Sequence, residues 1–299
     1  MLKKVFKEVS TRVIYWLFRL GIGIGGLIPF SLLHYFSNVL AFILQRVIRY
    51  RKKVIYQNIQ NSFPQKSEAE RQEIINKFYL NLSDTILEGL KGYSYPPEKL
   101  MERFRLKPTP KLNEYYEKGQ SIVLVGAHFA NWEWGMMCGG LHSKLPVMCY
   151  YQPIRNTLID NFYRKKFSTG RNLTTVSSKN AVRNFVKYRK EAVGHLMISD
   201  QSPKSKNSFW LNFLNQDTIC INGPEKLARK FNFPVFYMHI NRIKRGYYEM
   251  EITEFEPSPK NTPEGEITTK FMKTLEQKIH ETPENWLWSH KRWKKKRLN

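Results

Sequence analysis

The sequence predicts an α/β fold, a sheet flanked by helices, preceded by an N-terminal hydrophobic membrane-anchor helix. Three observations lead there. Short, continuous apolar runs recur between residues 121 and 253, segments of helical periodicity alternate with them, and a long uncharged stretch lies near the start. The chain has 299 residues, enough for one large domain or two small ones. With 41% hydrophobic and 14% aromatic residues it can bury a core, which excludes a mainly disordered chain. Cys138, Cys149 and Cys220 are too few and too scattered for a disulfide framework or a zinc site, and fit a reducing compartment. The formal charge of +24 speaks of partners rather than of fold.

From Leu20 to Gln45 the chain carries no Lys, Arg, Asp or Glu. A membrane-spanning helix needs about 20 mostly apolar residues, so the run is long enough, but Pro29, Ser31, His34, Ser37 and Asn38 interrupt it. A single kinked span, or a short span plus an interfacial helix, fits better than two full spans. The other reading is a buried helix pair. Lys3, Lys4, Lys7 and Arg12 precede the run, and Arg46, Arg49, Arg51, Lys52 and Lys53 follow it. The denser second cluster leads into the remainder of the chain, which places that remainder on the cytoplasmic side of a membrane by the positive-inside tendency. The division expected is an anchor over residues 1–55 and a cytoplasmic domain over 56–299.

After the connector NSFPQ, Ser67 and Glu70 fit a capping box opening a helix to about Gly89, with Ile74, Phe78, Leu82 and Ile86 at helical spacing. Pro96, Pro97, Pro108 and Pro110 punctuate the next segment. Buried strands are then expected at Ser121–Gly126, Leu145–Tyr150, Gly194–Ser199, Pro234–Ile240 and Tyr247–Thr253. Helices are expected around Trp132–Leu141, Leu158–Phe167, Asn180–Lys190, Gly223–Phe231 and Glu266–Glu281.

The sharpest local feature is AHFANWEWG, Ala127 to Gly135, directly after the first buried strand. His128 therefore lies at a strand's carboxyl end, where open α/β sheets place their ligand crevices. His128 and Glu133 cannot share one face of a regular helix. They can meet if His128 is in the loop and Glu133 in the first helical turn, with Asn131 as the cap. An imidazole oriented by a carboxylate is suited to take a proton from a hydroxyl. Gly-x-Ser-x-Gly is absent, which favours direct attack by a substrate hydroxyl over an acyl-enzyme. His-Glu-x-x-His is absent, which argues against zinc. A lone His near a Glu is also a common structural pairing.

At these residues the sequence resembles the lysophospholipid acyltransferase superfamily, whose signature is His-x4-Asp/Glu, and within it the lipid A biosynthesis branch, the lauroyl/myristoyl transferases of bacterial inner membranes. GAHFANWEWG stands where that branch has Gly-x-His-x-Gly-Asn-Trp-Glu. Tyr151-Gln152-Pro153, with Asn156 and Asp160, resembles its Tyr-x-Pro block, and Asp200-Gln201 its Asp-Gln pair. Thr218…Gly223-Pro224…Leu227-Ala228 and PENWLWSHKRWK (Pro283 to Lys294) resemble its later segments. Arg49-Tyr50-Arg51, Asn58 and Phe63-Pro64 match its pattern after the anchor. The matches run in order over nearly the whole chain.

The resemblance implies a mixed, glycerolipid-acyltransferase-like sheet and transfer of a fatty acyl group from an acyl carrier protein thioester to a lipid hydroxyl. His128 would be the general base and Glu133 its orienting partner. Arg164 first and Arg155 second are candidates for stabilising the oxyanion, set against the alternative that Arg164, Lys165 and Lys166 form a solvated helix face. Tyr151 belongs with the substrate-binding residues, as does Asn131, and Asp200 and Gln201 would brace the site or bind the acceptor. Phe129 and Trp132 would border the acyl channel. No metal and no organic cofactor is required by this chemistry. One departure stands out: Ala130 replaces the family's Gly, which matters if the backbone there needs a positive φ.

The ending WLWSHKRWKKKRLN sets Trp beside Lys and Arg, a composition suited to a membrane interface, to nucleic acid or to a solubilising tail. The apolar run near the start and the lack of any zinc-finger or RNA-recognition signature favour the membrane over nucleic acid. Acyl carrier protein and lipid A precursors are both acidic, which suits the basic surface. The sequence thus leads to an acyltransferase at the cytoplasmic face of a bacterial inner membrane, acting on a glycolipid. The alternatives are another acceptor (a lyso-aminolipid, an aryl or pigment alcohol, a lysophospholipid) or a lipid-binding protein without catalysis.

Overall fold

A computed structural model describes residues 2–168, 172–204 and 208–297, with side chains from residue 8 onward. The uncharged run does not form one helix. Pro29 has no N–H to continue a helix, and the chain divides there into α1 (Leu2–Leu27) and α2 (Phe30–Phe42), the latter ending in a π-helical turn over Ile43–Val47. No single helix among the described residues is long and apolar enough to cross a membrane. Phe30–Val47 together with α3 (Lys52–Ser62) reaches that length and composition, but the two are bent by 91°. In place of one continuous anchor helix there are two helices, α1 and α2, both packed against α4 (Glu68–Gly92). Of the expected basic flank, the side chains of Lys3, Lys4 and Lys7 lie outside the described residues, and Arg12 pairs with Glu8 at 3.1 Å.

Helix α4 (Glu68–Gly92) begins with the expected capping box between Ser67 and Glu70. It buries Ile74, Phe78 and Leu82 but turns Ile86 outward. Its buried polar residues fasten the N-terminal helices. Asp84 accepts from Ser37 of α2 at 2.5 Å, from Arg242 at 2.6 Å and from Arg245 at 2.7 Å. Glu88 meets His34 of α2 at 2.9 Å. Lys91 donates to the carbonyls of Gly25, Gly26 and Ile28, occupying oxygens that the end of α1 leaves without helical partners.

The remaining elements are α5 (Pro97–Met101), β1 (Phe104–Leu106), α6 (Pro110–Glu117), β2 (Ile122–Gly126), α7 (Trp132–His142), β3 (Val147–Tyr151), α8 (Thr157–Ser168), β4 (Leu173–Ser177), α9 (Ala181–Lys187), β5 (Gly194–Ile198), β6 (Phe209–Phe213), β7 (Gln216–Cys220), α10 (Gly223–Phe231), β8 (Val235–Lys244), β9 (Tyr247–Glu256) and α11 (Glu266–Glu281). Seven strands form one sheet in the order β1-β9-β8-β2-β5-β3-β4. Every neighbouring pair is parallel except β8 and β9, which form a hairpin, so the sheet is mixed as expected. The five apolar runs became β2, β3, β5, β8 and β9. The sequence reading missed β1, β4 and the separate hairpin β6–β7. The first two are edge strands, short or half-exposed, and lack the continuous apolar run of a strand buried on both faces. The hairpin turns on Leu214 and Asn215, both with positive φ, a turn whose usual sequence mark is Asn-Gly.

Helix α7 crosses α4 closely, since a Cβ on Gly92 would lie 2.7 Å from the indole nitrogen of Trp134. The three cysteines are buried, and none of them forms a disulfide among the described residues. The C-terminal segment does not dangle as a tail. Trp286 and Trp288 are buried, Trp293 is half-buried with its indole N–H on Thr218 at 2.7 Å, and Arg292 is buried against the carbonyl of Ile219. These tryptophans are core residues, which removes the expected interfacial role for them. Asn58 donates to the carbonyls of Trp288 and His290, and Arg51 to that of Ser289, so α3 and the chain end hold one another.

Candidate active site

Parallel pairing of β2 with β5 places Gly126 opposite Ile198. Two residues beyond each lie His128 and Asp200, brought side by side across 72 positions of sequence. Asp200 is buried and its carboxylate accepts three hydrogen bonds. His128 donates its backbone N–H at 3.1 Å and its ring Nδ1–H at 2.7 Å, and Trp286 donates its indole N–H at 2.9 Å. Burial pushes the Asp200 carboxyl up, but the His128 charge and these donors outweigh it and hold it below the ordinary range. An ionised Asp200 puts the ring proton on Nδ1 and leaves Nε2 with its lone pair. Burial works against protonation of His128, yet the Asp200 charge and hydrogen bond, helped by Glu133, raise its pKa above the ordinary value. The amide nitrogen of Gln201 stands 3.3 and 3.4 Å from the two ring nitrogens, and Trp132 meets the ring edge-on at 5.4 Å between centroids.

Glu133 lies in the first turn of α7, as expected, but its hydrogen bonds go elsewhere. It accepts from the Tyr93 hydroxyl at 3.3 Å and from Trp132. It packs over Gly89 of α4, where a Cβ would lie 3.7 Å from its Cγ. Burial raises its carboxyl, against the Tyr93 bond and the charge of His128. The residue hydrogen-bonded to the imidazole is thus Asp200, while Glu133 acts on it through space.

Asn131 caps α7 as expected, accepting the Trp134 N–H at 3.0 Å. Its amide donates to the buried carboxylate of Glu88 at 2.8 Å, and Glu88 also accepts from Tyr248 at 2.7 Å. Glu88 therefore ties His34 of α2 to the cap of α7, a role the sequence reading missed because Glu88 looks like one more acidic residue on a helix. His34, Asp84 and Glu88 offer donor atoms within 4.8 Å of one another. Two arginines, Asn131 and Tyr248 already occupy their carboxylates, and these partners suit a structural network rather than a cation.

The other expected site residues are spread more widely. Tyr151 donates to Asp160 at 2.9 Å and 3.0 Å, which closes the loop after β3. Arg155 and Arg164 are exposed, with no side-chain hydrogen bond to His128, Glu133 or Asp200. Phe129 is buried, packed on His239 at 4.8 Å between centroids and bridged to Trp286, so it belongs to the core. Trp286 and His290 were passed over as site residues although they stand in the C-terminal motif. His290 Nε2 accepts the N–H of Ser202 at 3.3 Å, and burial holds the ring neutral, down to about 4.

Ala130 has φ +49°, the left-handed region that favours glycine. The conformation is held by its N–H on the Asn285 carbonyl at 2.8 Å and by the β-bridge at Phe129. Ala130→Gly should relieve strain of about 1 kcal/mol, offset in part by greater freedom of the unfolded chain. Thermal unfolding should show the midpoint unchanged or slightly raised. A fall of several degrees would mean that the methyl group is needed for packing.

The family model described as bacterial lipid A biosynthesis acyltransferase matches residues 3–295. The lipid A biosynthesis palmitoleoyltransferase of Escherichia coli (strain K12) is 25% identical over 287 residues, 94% of this chain and 92% of the relative. The lipid A biosynthesis lauroyltransferase of the same organism is also 25% identical, with the same coverage. A lipid A biosynthesis acyltransferase of Haemophilus influenzae (strain ATCC 51907 / DSM 11121 / KW20 / Rd) is 22% identical over 271 residues, 87% of this chain and 81% of the relative. With the family pattern matched from end to end, this chain belongs to the bacterial lipid A biosynthesis acyltransferase family and is an acyltransferase.

Proposed function

We propose that the protein moves a fatty acyl chain from an acyl carrier protein thioester to a hydroxyl of a lipid A precursor, with His128 as general base. The observation that carries the mechanism is the His128–Asp200 contact at 2.7 Å, which points a basic Nε2 away from its carboxylate at the end of the sheet. Nε2 takes the proton of the acceptor hydroxyl as its oxygen attacks the thioester carbonyl. The tetrahedral oxyanion then collapses, the C–S bond breaks, and the imidazolium returns its proton to the leaving thiolate. Asp200 holds the tautomer and stabilises the imidazolium, and Glu133 adds negative potential from the other side. Gln201 supplies an amide donor beside the reacting nitrogen. Arg164 and Arg155 remain candidates for the oxyanion only if substrate draws them in.

A membrane-surface location is part of the same reading. Val9, Val13, Trp16, Leu17, Leu20, Ile24 and Leu27 form one exposed face of α1, continued by Leu32, Tyr35, Phe36, Val39 and Phe42 of α2. A face this apolar suits insertion into a bilayer interface, with burial worth about 1.5–3 kcal/mol for each large side chain. The bacterial inner membrane, entered from its cytoplasmic face, is where a lipid acceptor and a soluble acyl donor would both be in reach.

Lipid mass spectrometry on membranes from cells with the protein, without it, and with His128→Ala tests the reaction. A lipid lighter by one acyl group should accumulate in both altered strains. In vitro, His128→Ala should lower the rate by about 10²-fold or more. Unaltered lipids with a near-native variant rate would remove His128 from the chemistry. For the membrane reading, Trp16→Glu with Leu20→Glu should reduce sedimentation with anionic vesicles about tenfold or more. Undiminished binding would place the membrane contact elsewhere.

A further inference from the structure

The exposed positive charge is not spread evenly around the site. A groove of about 630 Å³ runs between α3 and the C-terminal segment, with Gln57 and Asn61 on one wall and Lys291, Lys294, Lys296 and Arg297 on the other. These four basic residues are exposed. Lys295 holds their segment in place by donating to the carbonyls of Pro203 at 2.7 Å and Lys204 at 2.9 Å. One acidic residue, Asp217, stands among the lining residues.

The surroundings distinguish this groove from a bilayer contact. Among the described residues, α3, the β6–β7 hairpin and the segment after Thr282 expose no large hydrophobic side chain, and Trp286 and Trp288 are turned into the core. The exposed apolar face lies on α1 and α2, and α3 leaves α2 at 91°. A concave, basic surface suits an acidic protein with a convex face, not a flat membrane.

The groove is also tied to the site. Its wall residue Asn58 holds the Trp288 and His290 carbonyls at 2.8 Å and 3.0 Å. His290 accepts from Ser202, next to Gln201 and Asp200, and Trp286 of the same segment donates to Asp200. A protein seated in the groove would thus rest on the segment that braces the His128 pair.

We propose that this groove is the docking surface for the acidic protein that delivers the acyl chain, the acyl carrier protein; the inference rests on the donor assigned under Proposed function. Docking is electrostatic, so it weakens with salt and acts on capture of the donor more than on the chemical step.

The test uses the full chain reconstituted in vesicles. It compares wild type, Lys291→Glu/Lys294→Glu/Lys296→Glu, and a control with the same charge change on α9 and the turn after it, Arg183→Glu/Lys187→Glu/Lys190→Glu. KM and kcat are measured with acylated acyl carrier protein and with the matching acyl-pantetheine at two salt concentrations. The groove variant should raise KM for the carrier protein by about tenfold or more with kcat within about threefold, and flatten the salt dependence, while the control follows wild type. An unchanged KM, an equal change in the control, or loss of vesicle binding with unchanged KM in the bound fraction would overturn the groove as a donor surface. If wild type itself transfers from acyl-pantetheine but not from the carrier protein, the donor assignment fails, and that result is distinct from failure of the groove alone.

Discussion

A buried carboxylate must find partners, and the way Asp200 finds them organises the site. Its charge is satisfied by two donors from His128 and one from Trp286. Those donors come from the loop after β2 and from the C-terminal segment, while Asp200 itself lies in the loop just after β5. One side chain thus joins the centre of the sheet to the end of the chain. The register of β2 against β5 makes the pairing unavoidable: His128 and Asp200 are the same number of steps beyond a matched pair of residues. Asn58 and Arg51 then secure the C-terminal segment from the opposite side, through carbonyls between Trp288 and His290. The motifs that lie farthest apart in the sequence are consequently neighbours in the fold.

A second set of buried carboxylates does for the N-terminal helices what Asp200 does for the site. Asp84 and Glu88 stand one turn apart on α4 and face α2, where Ser37 and His34 meet them. Glu88 also holds Asn131, which caps the helix carrying Glu133. Removing one partner from such a network leaves a buried charge uncompensated and costs more than the bond itself. The consequence for function is geometric. The exposed apolar face of α1 and α2 is held at a set position relative to His128 by polar contacts rather than by a flexible linker.

Much of this was legible in the sequence. The apolar runs that became β2, β3, β5, β8 and β9 are buried strands with a simple signal, and the caps at Ser67 and Asn131 are local side-chain chemistry. Ala130 was marked as a departure whose cost depended on the sign of φ, and φ is positive. What was not legible depends on tertiary partners. Nothing local tells that Asp200, rather than the nearer Glu133, reaches the imidazole, because sheet register decides it. The tryptophans near the end have a membrane-interface composition, yet Trp286 is drawn inward by a carboxylate and Trp288 by the Pro283 carbonyl. The uncharged run from Leu20 to Gln45 has the length of a span, but Pro29 divides it, and only the packed structure tells which face of each half is left exposed.

The pH dependence of kcat for wild type, Asp200→Asn and Glu133→Gln tests most directly the claim that Asp200 makes His128 a base. His128 must be neutral to accept a proton, so the rate rises as pH rises through its pKa, which in the wild type lies above 6.5. Removing the Asp200 charge and hydrogen bond lowers that pKa. The account therefore predicts an acid limb shifted to lower pH in Asp200→Asn, together with a plateau reduced by about 10²-fold, and a smaller shift in Glu133→Gln. An Asp200→Asn enzyme that folds, keeps its plateau and leaves the limb where it was, while Glu133→Gln moves it, would contradict the account and return the orienting role to Glu133.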